Sequence, residues 1–290
     1  MIGPGSSLAC HHLGSCYHVR ITTKHYPIAA MVTRRDMLKG AMIGAAMNTS
    51  GAASTPTLGL LAPVDSSIPS EAHVLYPRGV RFRGVSLGLA RMTPEGYDQV
   101  IDRIAPMAKE LAQQGAAAIT LMGTSLSFYK GAAFNRELTQ RIALASGCPA
   151  VTMSTAVIEG LRNVGSKRLA VATAYNDEVN RRLQAFLIEE GFEVLVIRGL
   201  GVERVEDIHS VTRDGLFKFS VDVFEAANGA DALLVSCGGL HTLELLEPLE
   251  HRCKVPVVSS LPHALRAGVR LLGLSGQAQG YGTLLSQRGL

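Results

Sequence analysis

The chain has 290 residues, 47% of them hydrophobic and 18% charged, enough for one large domain or two small ones and too apolar for a disordered or fibrous protein. No apolar run reaches the roughly 18 residues needed to span a bilayer, so a multi-spanning membrane protein is excluded and no stable membrane insertion is expected. The formal charge of +4 resides wholly in residues 1–53, where Arg20, Lys24, Arg34, Arg35 and Lys39 face Asp36 alone; the neutral remainder gives no support to nucleic-acid binding.

Residues 1–53 show neither helical nor strand periodicity and are set apart from the fold. Thr33-Arg34-Arg35-Asp36-Met37-Leu38-Lys39, the apolar stretch Gly40 to Met47 and the small residues Ser50 to Ala53 together resemble a twin-arginine export signal, provided that Met31 is the true start. Such a leader predicts a periplasmic protein; the other reading is a disordered basic extension on a cytoplasmic enzyme. Cys10-His11-His12 and Cys16-x-His18 match no usual zinc spacing, so no metal is expected. The body holds three cysteines, Cys148, Cys237 and Cys253, an odd number at unrelated spacings that argues against a disulfide framework.

From residue 54 onward short apolar runs alternate with amphipathic stretches, the pattern of βαβ units and parallel sheets. Leu58 to Ala62 is the first predicted strand. Thr93-Pro94-Glu95 then opens a helix whose apolar residues recur from Tyr97 to Leu111 and which closes at Gly115, with a kink expected at Pro106. Ala117 to Met122 is the next strand. Further strands are predicted at 149–153, 168–173, 193–197, 231–236 and 255–259, and helices at 133–145, 156–163, 177–190, 214–227 and 241–250.

Three strand-plus-loop segments recur in the same order. Leu58 to Asp65 is matched by Leu169 to Asn176, Ala118 to Ser125 by Ala232 to Gly239, and Pro149 to Thr152 by Pro256 to Ser259. Their nearly constant offset predicts two copies of one α/β unit, hence two pseudo-symmetric Rossmann-like or flavodoxin-like lobes with parallel sheets. Lobe one is expected at about 54–163 with the C-terminal segment 261–290, and lobe two at about 164–260. Ligands in such sheets bind beyond the carboxyl ends of the strands. The loops Pro63 to Ser67, Gly123 to Ser127, Thr173 to Asn176 and Cys237 to Leu240 should therefore line one cleft between the lobes.

Chemistry is sought in those loops. Cys237, followed by Gly238-Gly239 and a helix expected from about His241, would meet a positive helix end that favours the thiolate, although a small buried hydrophobe is the plainer role for a free cysteine. Gly123-Thr124-Ser125 offers backbone N–H groups and two hydroxyls to a carboxylate or an oxyanion, and equally suits a capping turn. The phenol of Tyr175 can donate to the same anion or simply pack. No Gly-x-Ser-x-Gly elbow and no Gly-x-Gly-x-x-Gly turn after the first strand is present, so neither a serine hydrolase nor a dinucleotide cofactor is expected.

The strings Met122-Gly-Thr-Ser-Leu-Ser-Phe-Tyr-Lys-Gly-Ala-Ala-Phe-Asn135, Met153-Ser-Thr-Ala156, Ala172-Thr-Ala-Tyr175 and Ser236-Cys-Gly-Gly239 resemble the arylmalonate decarboxylase family, a branch of the aspartate/glutamate racemase superfamily, from about Ser54 to Leu285. The superfamily's racemases work with two cysteines on opposite faces of the substrate carbon. Here the first position is Gly123 and only the second, Cys237, is cysteine, as in the decarboxylase branch. The resemblance implies cofactor-free decarboxylation of α-aryl or alkenyl malonates, small dicarboxylates, to one enantiomer of an α-aryl acid. Thr124, Ser125, Tyr175 and the backbone N–H of Gly238 would hold the retained carboxylate as an enediolate, and Cys237 would protonate it. Two positions bordering the cleft depart from the family, Pro63-Val64 in place of a double proline and His241 in place of leucine. The competing readings are a maleate-isomerase-like or racemase-like enzyme, against which Gly123 speaks, and a non-catalytic two-lobed carboxylate binder, which would not need the thiol.

Overall fold

The structure, a computed structural model, describes residues 55–64 and 68–287. The stretch that resembles an export signal and the Cys-His pairs, both within residues 1–53, and positions 65–67 of the first cleft loop lie outside them. Eight strands form two four-stranded parallel sheets of the same order. The first runs β2-β1-β3-β4, from β1 (Thr57–Ala62), β2 (Arg81–Ser86), β3 (Ala118–Leu121) and β4 (Ala150–Thr152). The second runs β6-β5-β7-β8, from β5 (Arg168–Thr173), β6 (Glu193–Gly199), β7 (Ala232–Ser236) and β8 (Val257–Ser259).

Burial explains the strand sequences. β1, β3 and β7 are buried at every residue and read as unbroken runs of small and aliphatic side chains, as strands covered on both faces must. The edge strand β2, Arg-Phe-Arg-Gly-Val-Ser, exposes its arginines and contains no apolar run, so the hydrophobic pattern of the sequence does not announce it. Gly59 in β1 is a close approach: a Cβ there would stand 2.8 Å from Ile119 Cδ1 and 3.0 Å from Ala116 Cβ.

Helices cover the sheets. In chain order they are α1 (Ser70–Leu75), α2 (Pro94–Val100), α3 (Ile104–Gln113), α4 (Thr124–Phe128), α5 (Gly131–Ser146), α6 (Met153–Asn163), α7 (Asp177–Glu189), α8 (Arg213–Ala226), α9 (Leu246–Cys253), α10 (Ser260–Leu271) and α11 (Thr283–Ser286). Thr93 caps α2 by accepting from the Gly96 N–H at 3.3 Å, with Pro94 in the first turn. The expected long helix is divided by a 3₁₀ turn at Ile101–Arg103, which leaves Pro106 in the first turn of α3, where its missing N–H removes no helical bond. The same proline logic corrects the helix predicted at 241–250. It begins only at Leu246, after a 3₁₀ turn at Leu243–Leu245, because an earlier start would put Pro248 in the helix interior.

The chain closes on itself at α10. After β8 it leaves the second sheet and packs α10 on β3, β4 and α6 of the first lobe. The lobes also meet in a short antiparallel bridge at Arg91 and Arg204, where Met92 N–H donates to the Glu203 carbonyl (2.7 Å) and Val205 N–H to the Ala90 carbonyl (3.1 Å). Among the described residues no helix is long and apolar enough to cross a membrane.

Candidate active site

In a sheet of order 2-1-3-4 the connections after strands 1 and 3 diverge to opposite faces and open a crevice at their carboxyl ends. Both lobes have this order, and the loops after β1, β3, β5 and β7 converge on one cavity of about 100 Å³. All seven residues singled out in the sequence, Pro63, Gly123, Thr124, Ser125, Tyr175, Cys237 and Gly238, line it. Among the described residues no charged side chain does. The polar groups are two hydroxyls, a phenol, a thiol and backbone amides; the rest of the wall is aliphatic, including Leu89, Met92, Val205 and Ile208.

Cys237 is buried directly after β7, with its Sγ 3.9 Å from Met92 Sδ. The sequence-based expectation of a favoured thiolate fails: the helix starts not at His241 but at Leu246, and burial outweighs the groups that favour the charged form. Burial pushes the thiol up to about 11; the N–H of Gly239, the Tyr175 hydroxyl and the N–H of Leu240 offset only part of that rise. At neutral pH Cys237 is therefore a thiol, a proton donor in waiting rather than a base.

Gly123 lines the same cavity and precedes α4 in extended backbone, φ −126° and ψ 102°. A Cβ there would lie 3.0 Å from Leu126 Cβ and 3.3 Å from Pro63 Cγ, so the position is snug yet accepts a side chain with small adjustments. Thr124 and Ser125 open α4, both buried. The helix is held by Ser127, whose Oγ donates to the Gly123 carbonyl at 2.8 Å and bonds Ser154 Oγ at 2.7 Å. Tyr175 lies edge-on to Phe128, with ring centroids 5.8 Å apart, and its Oη is 3.5 Å from Ser236 Oγ. Burial raises the Tyr175 phenol well above its ordinary value, so it too remains a neutral donor. Gly238 is packed tightly enough that a Cβ would stand 3.0 Å from Met153 Sδ and 3.1 Å from the Met122 carbonyl.

Sequence reasoning missed Ser260 and the walls from 89–92 and 205–208. Ser260 Oγ accepts from the Thr124 hydroxyl at 2.9 Å and from the Cys237 N–H at 3.2 Å, tying the two facing loops together. The repeat itself held a signal for it: β8 ends a copied segment, and Ser260 is the first residue beyond it. His241, exposed on its own side, reaches α1, where its Nδ1 is 2.8 Å from Glu71 Oε1.

The model of the arylmalonate decarboxylase family matches residues 58–285. Arylmalonate decarboxylase of Bordetella bronchiseptica is 48% identical over 237 residues, which are 81% of this chain and 98% of the relative. A solved structure of a double variant of arylmalonate decarboxylase, glycine to cysteine and cysteine to serine, in its liganded form, superposes with a TM-score of 0.77 at 46% identity, over 80% of this chain and 99% of the other. A maleate isomerase of Nocardia farcinica is 24% identical, over 79% of this chain and 95% of its own length.

Proposed function

This chain belongs to the arylmalonate decarboxylase family and is a decarboxylase, and from that premise we propose that it converts α-aryl or alkenyl malonates to single enantiomers of α-substituted carboxylic acids without a cofactor. The observation that carries the reading is one buried thiol, Cys237, lining the same cavity as a glycine, Gly123, with no charged side chain among its described walls. One carboxylate of the substrate is held by the hydroxyls of Thr124 and Ser125, the phenol of Tyr175 and the N–H of Gly238. These neutral donors are fixed before the reaction and bind more strongly as the carboxylate takes on enediolate charge. The other carboxylate lies against the aliphatic wall, where nothing compensates its lost hydration until it departs as carbon dioxide.

The electron pair left by the broken C–C bond moves into the retained carboxylate. Cys237 then transfers its proton to the α-carbon, and the resulting thiolate is met by the N–H groups of Gly239 and Leu240 before water reprotonates it. With a proton source on one face only, the product has one hand. In the liganded double variant of arylmalonate decarboxylase the two substituted positions are as far apart in sequence as Gly123 and Cys237, which supports matching these residues to the exchanged pair. Maleate-isomerase chemistry is the weaker reading, since the superfamily's two-base chemistry needs a second thiol where Gly123 stands.

The test is carbon dioxide release from phenylmalonate, with chiral analysis of the phenylacetate homologue formed from methylphenylmalonate. Release by the wild-type protein and its loss in Cys237→Ser are expected. No release from any aryl- or alkenylmalonate would overturn the assignment.

A further inference from the structure

We propose that Ser260 is a positioning residue of this reaction, which aims the Thr124 hydroxyl at the retained carboxylate through a directional chain of hydrogen bonds that starts at the Cys237 amide. The inference rests on the decarboxylase reading above and extends it to a residue outside the cavity wall. Ser260 is fully buried at the point where the chain passes from β8 into α10 and thus from one lobe to the other. Its surroundings fix it. The Ser259 N–H donates to His263 Nδ1 at 3.0 Å, and the hydroxyls of Thr242 and Ser259 share a bond of 2.8 Å.

The direction of the chain follows from donor chemistry. A backbone N–H only donates, so the 3.2 Å contact from Cys237 N always occupies one acceptor site of Ser260 Oγ. In the 2.9 Å contact between Ser260 and Thr124 the Thr124 hydroxyl donates; each hydroxyl carries both a proton and lone pairs, so rotation lets the two exchange roles. When a carboxylate enters, a hydrogen bond to the anion is stronger than one to a neutral hydroxyl, so the Thr124 proton turns to the substrate. Ser260 then donates its own proton to Thr124 Oγ1. The result is one head-to-tail series: Cys237 N–H to Ser260, Ser260 O–H to Thr124, Thr124 O–H to carboxylate. Each hydroxyl that accepts a bond donates a stronger one, so the series strengthens as charge accumulates on the enediolate.

The arrangement also couples the two halves of the reaction. The amide at the head of the chain belongs to the residue whose thiol delivers the proton, so holding the anion and holding the thiol loop are one structural act. Removing the Ser260 hydroxyl leaves Thr124 free to rotate and the Cys237 amide without its acceptor.

The experiment is a double-mutant cycle in the full-length protein, Ser260→Ala and Thr124→Val singly and together, with kcat and KM measured on phenylmalonate and Tm on each protein. Ser260→Ala is expected to lower kcat about tenfold, the worth of one hydrogen bond, with a smaller change in KM. In the Thr124→Val background the same substitution should lower kcat by much less, because the Thr124 arm of the chain is already gone and only the Cys237 amide is left to lose its partner. A merely structural serine would lower Tm in both backgrounds and reduce kcat equally in both, and that additive outcome would overturn the proposal. So would an unchanged kcat in Ser260→Ala. Should the alanine variant not fold, Ser260→Cys, of similar volume and a weak hydrogen-bonding partner, carries the same expectation and the same refutation. A wild-type protein inactive on all malonates would refute the function itself, which is a different result from an active wild type with an additive cycle.

Discussion

Raising the pH tests the protonation state of Cys237 directly. Its thiol is pushed up to about 11 from the ordinary 9.0, chiefly by burial. At pH 7 the thiolate is then about one part in 10,000, against about one in 100 for an ordinary cysteine. A proton donor of this kind predicts a single-turnover rate of product-acid formation that is flat from pH 7 to beyond 9 and falls through about 11. Stability follows the same group. Below pH 9 the thiol is neutral in both folded and unfolded chains. Between 9 and 11 the unfolded chain releases the proton while the folded protein retains it, so stability declines as pH rises across that window. The two-unit separation corresponds to about 2–3 kcal/mol lost by pH 11. Cys237→Ser lacks the ionisation, so the difference between wild type and variant in urea melts isolates this contribution from other groups that titrate there. A rate that climbs between pH 7 and 9 would mean that the thiolate is the working form, and a falling limb near 9 would mean that the burial argument overstates the shift.

At neutral pH, Cys237→Ser should lower turnover by orders of magnitude with little change in Tm, since a hydroxyl is a far weaker acid in nearly the same volume; near-normal turnover by the folded variant would remove the cysteine from the mechanism. Gly123→Cys combined with Cys237→Ser should invert the product's hand, at a stability cost of about 1 kcal/mol for the contacts a side chain makes with Leu126 and Pro63. Unchanged handedness in an active double variant would show that the two loops do not face one carbon. Gly199→Ala should cost about 2–3 kcal/mol by chemical denaturation, because its Cβ would run into the Tyr175 carbonyl and the Asn180 amide that shape the Tyr175 loop; a silent substitution would mean that this loop yields easily. Starting the chain at Ser54 should leave decarboxylation and Tm unchanged, as residues 1–53 carry no apolar periodicity with which to dock on the body. For the same leader we propose twin-arginine export, and Arg34→Lys with Arg35→Lys should then keep the protein out of the periplasmic fraction.

The two-lobed fold was legible in the sequence because its central strands are buried on both faces. A strand in that position has to be an apolar run, and the runs at Leu58, Ala118, Leu169 and Ala232 recur at a near-constant offset that betrays the duplication. The cleft residues were legible for a related reason: with strand order implied, the segments that follow those runs are the ones brought to the mouth of each sheet. What lacked a run or a period stayed hidden. β2 is an edge strand rich in arginine, and α4 has only five residues, too few for a helical period to show. The state of Cys237 was beyond sequence reasoning altogether. Local chain position suggested a helix dipole acting on the thiol, yet the start of α9 is set by Pro248, and the sulfur's pKa by burial between lobes distant in the chain. Ser260 shows the same limit. As one serine in Val-Pro-Val-Val-Ser-Ser-Leu-Pro it is unremarkable; only the return of α10 to the first lobe brings its hydroxyl to Thr124 and to the Cys237 amide. Burial patterns are written residue by residue, but hydrogen-bond partners and desolvation belong to groups that meet only when the chain has closed.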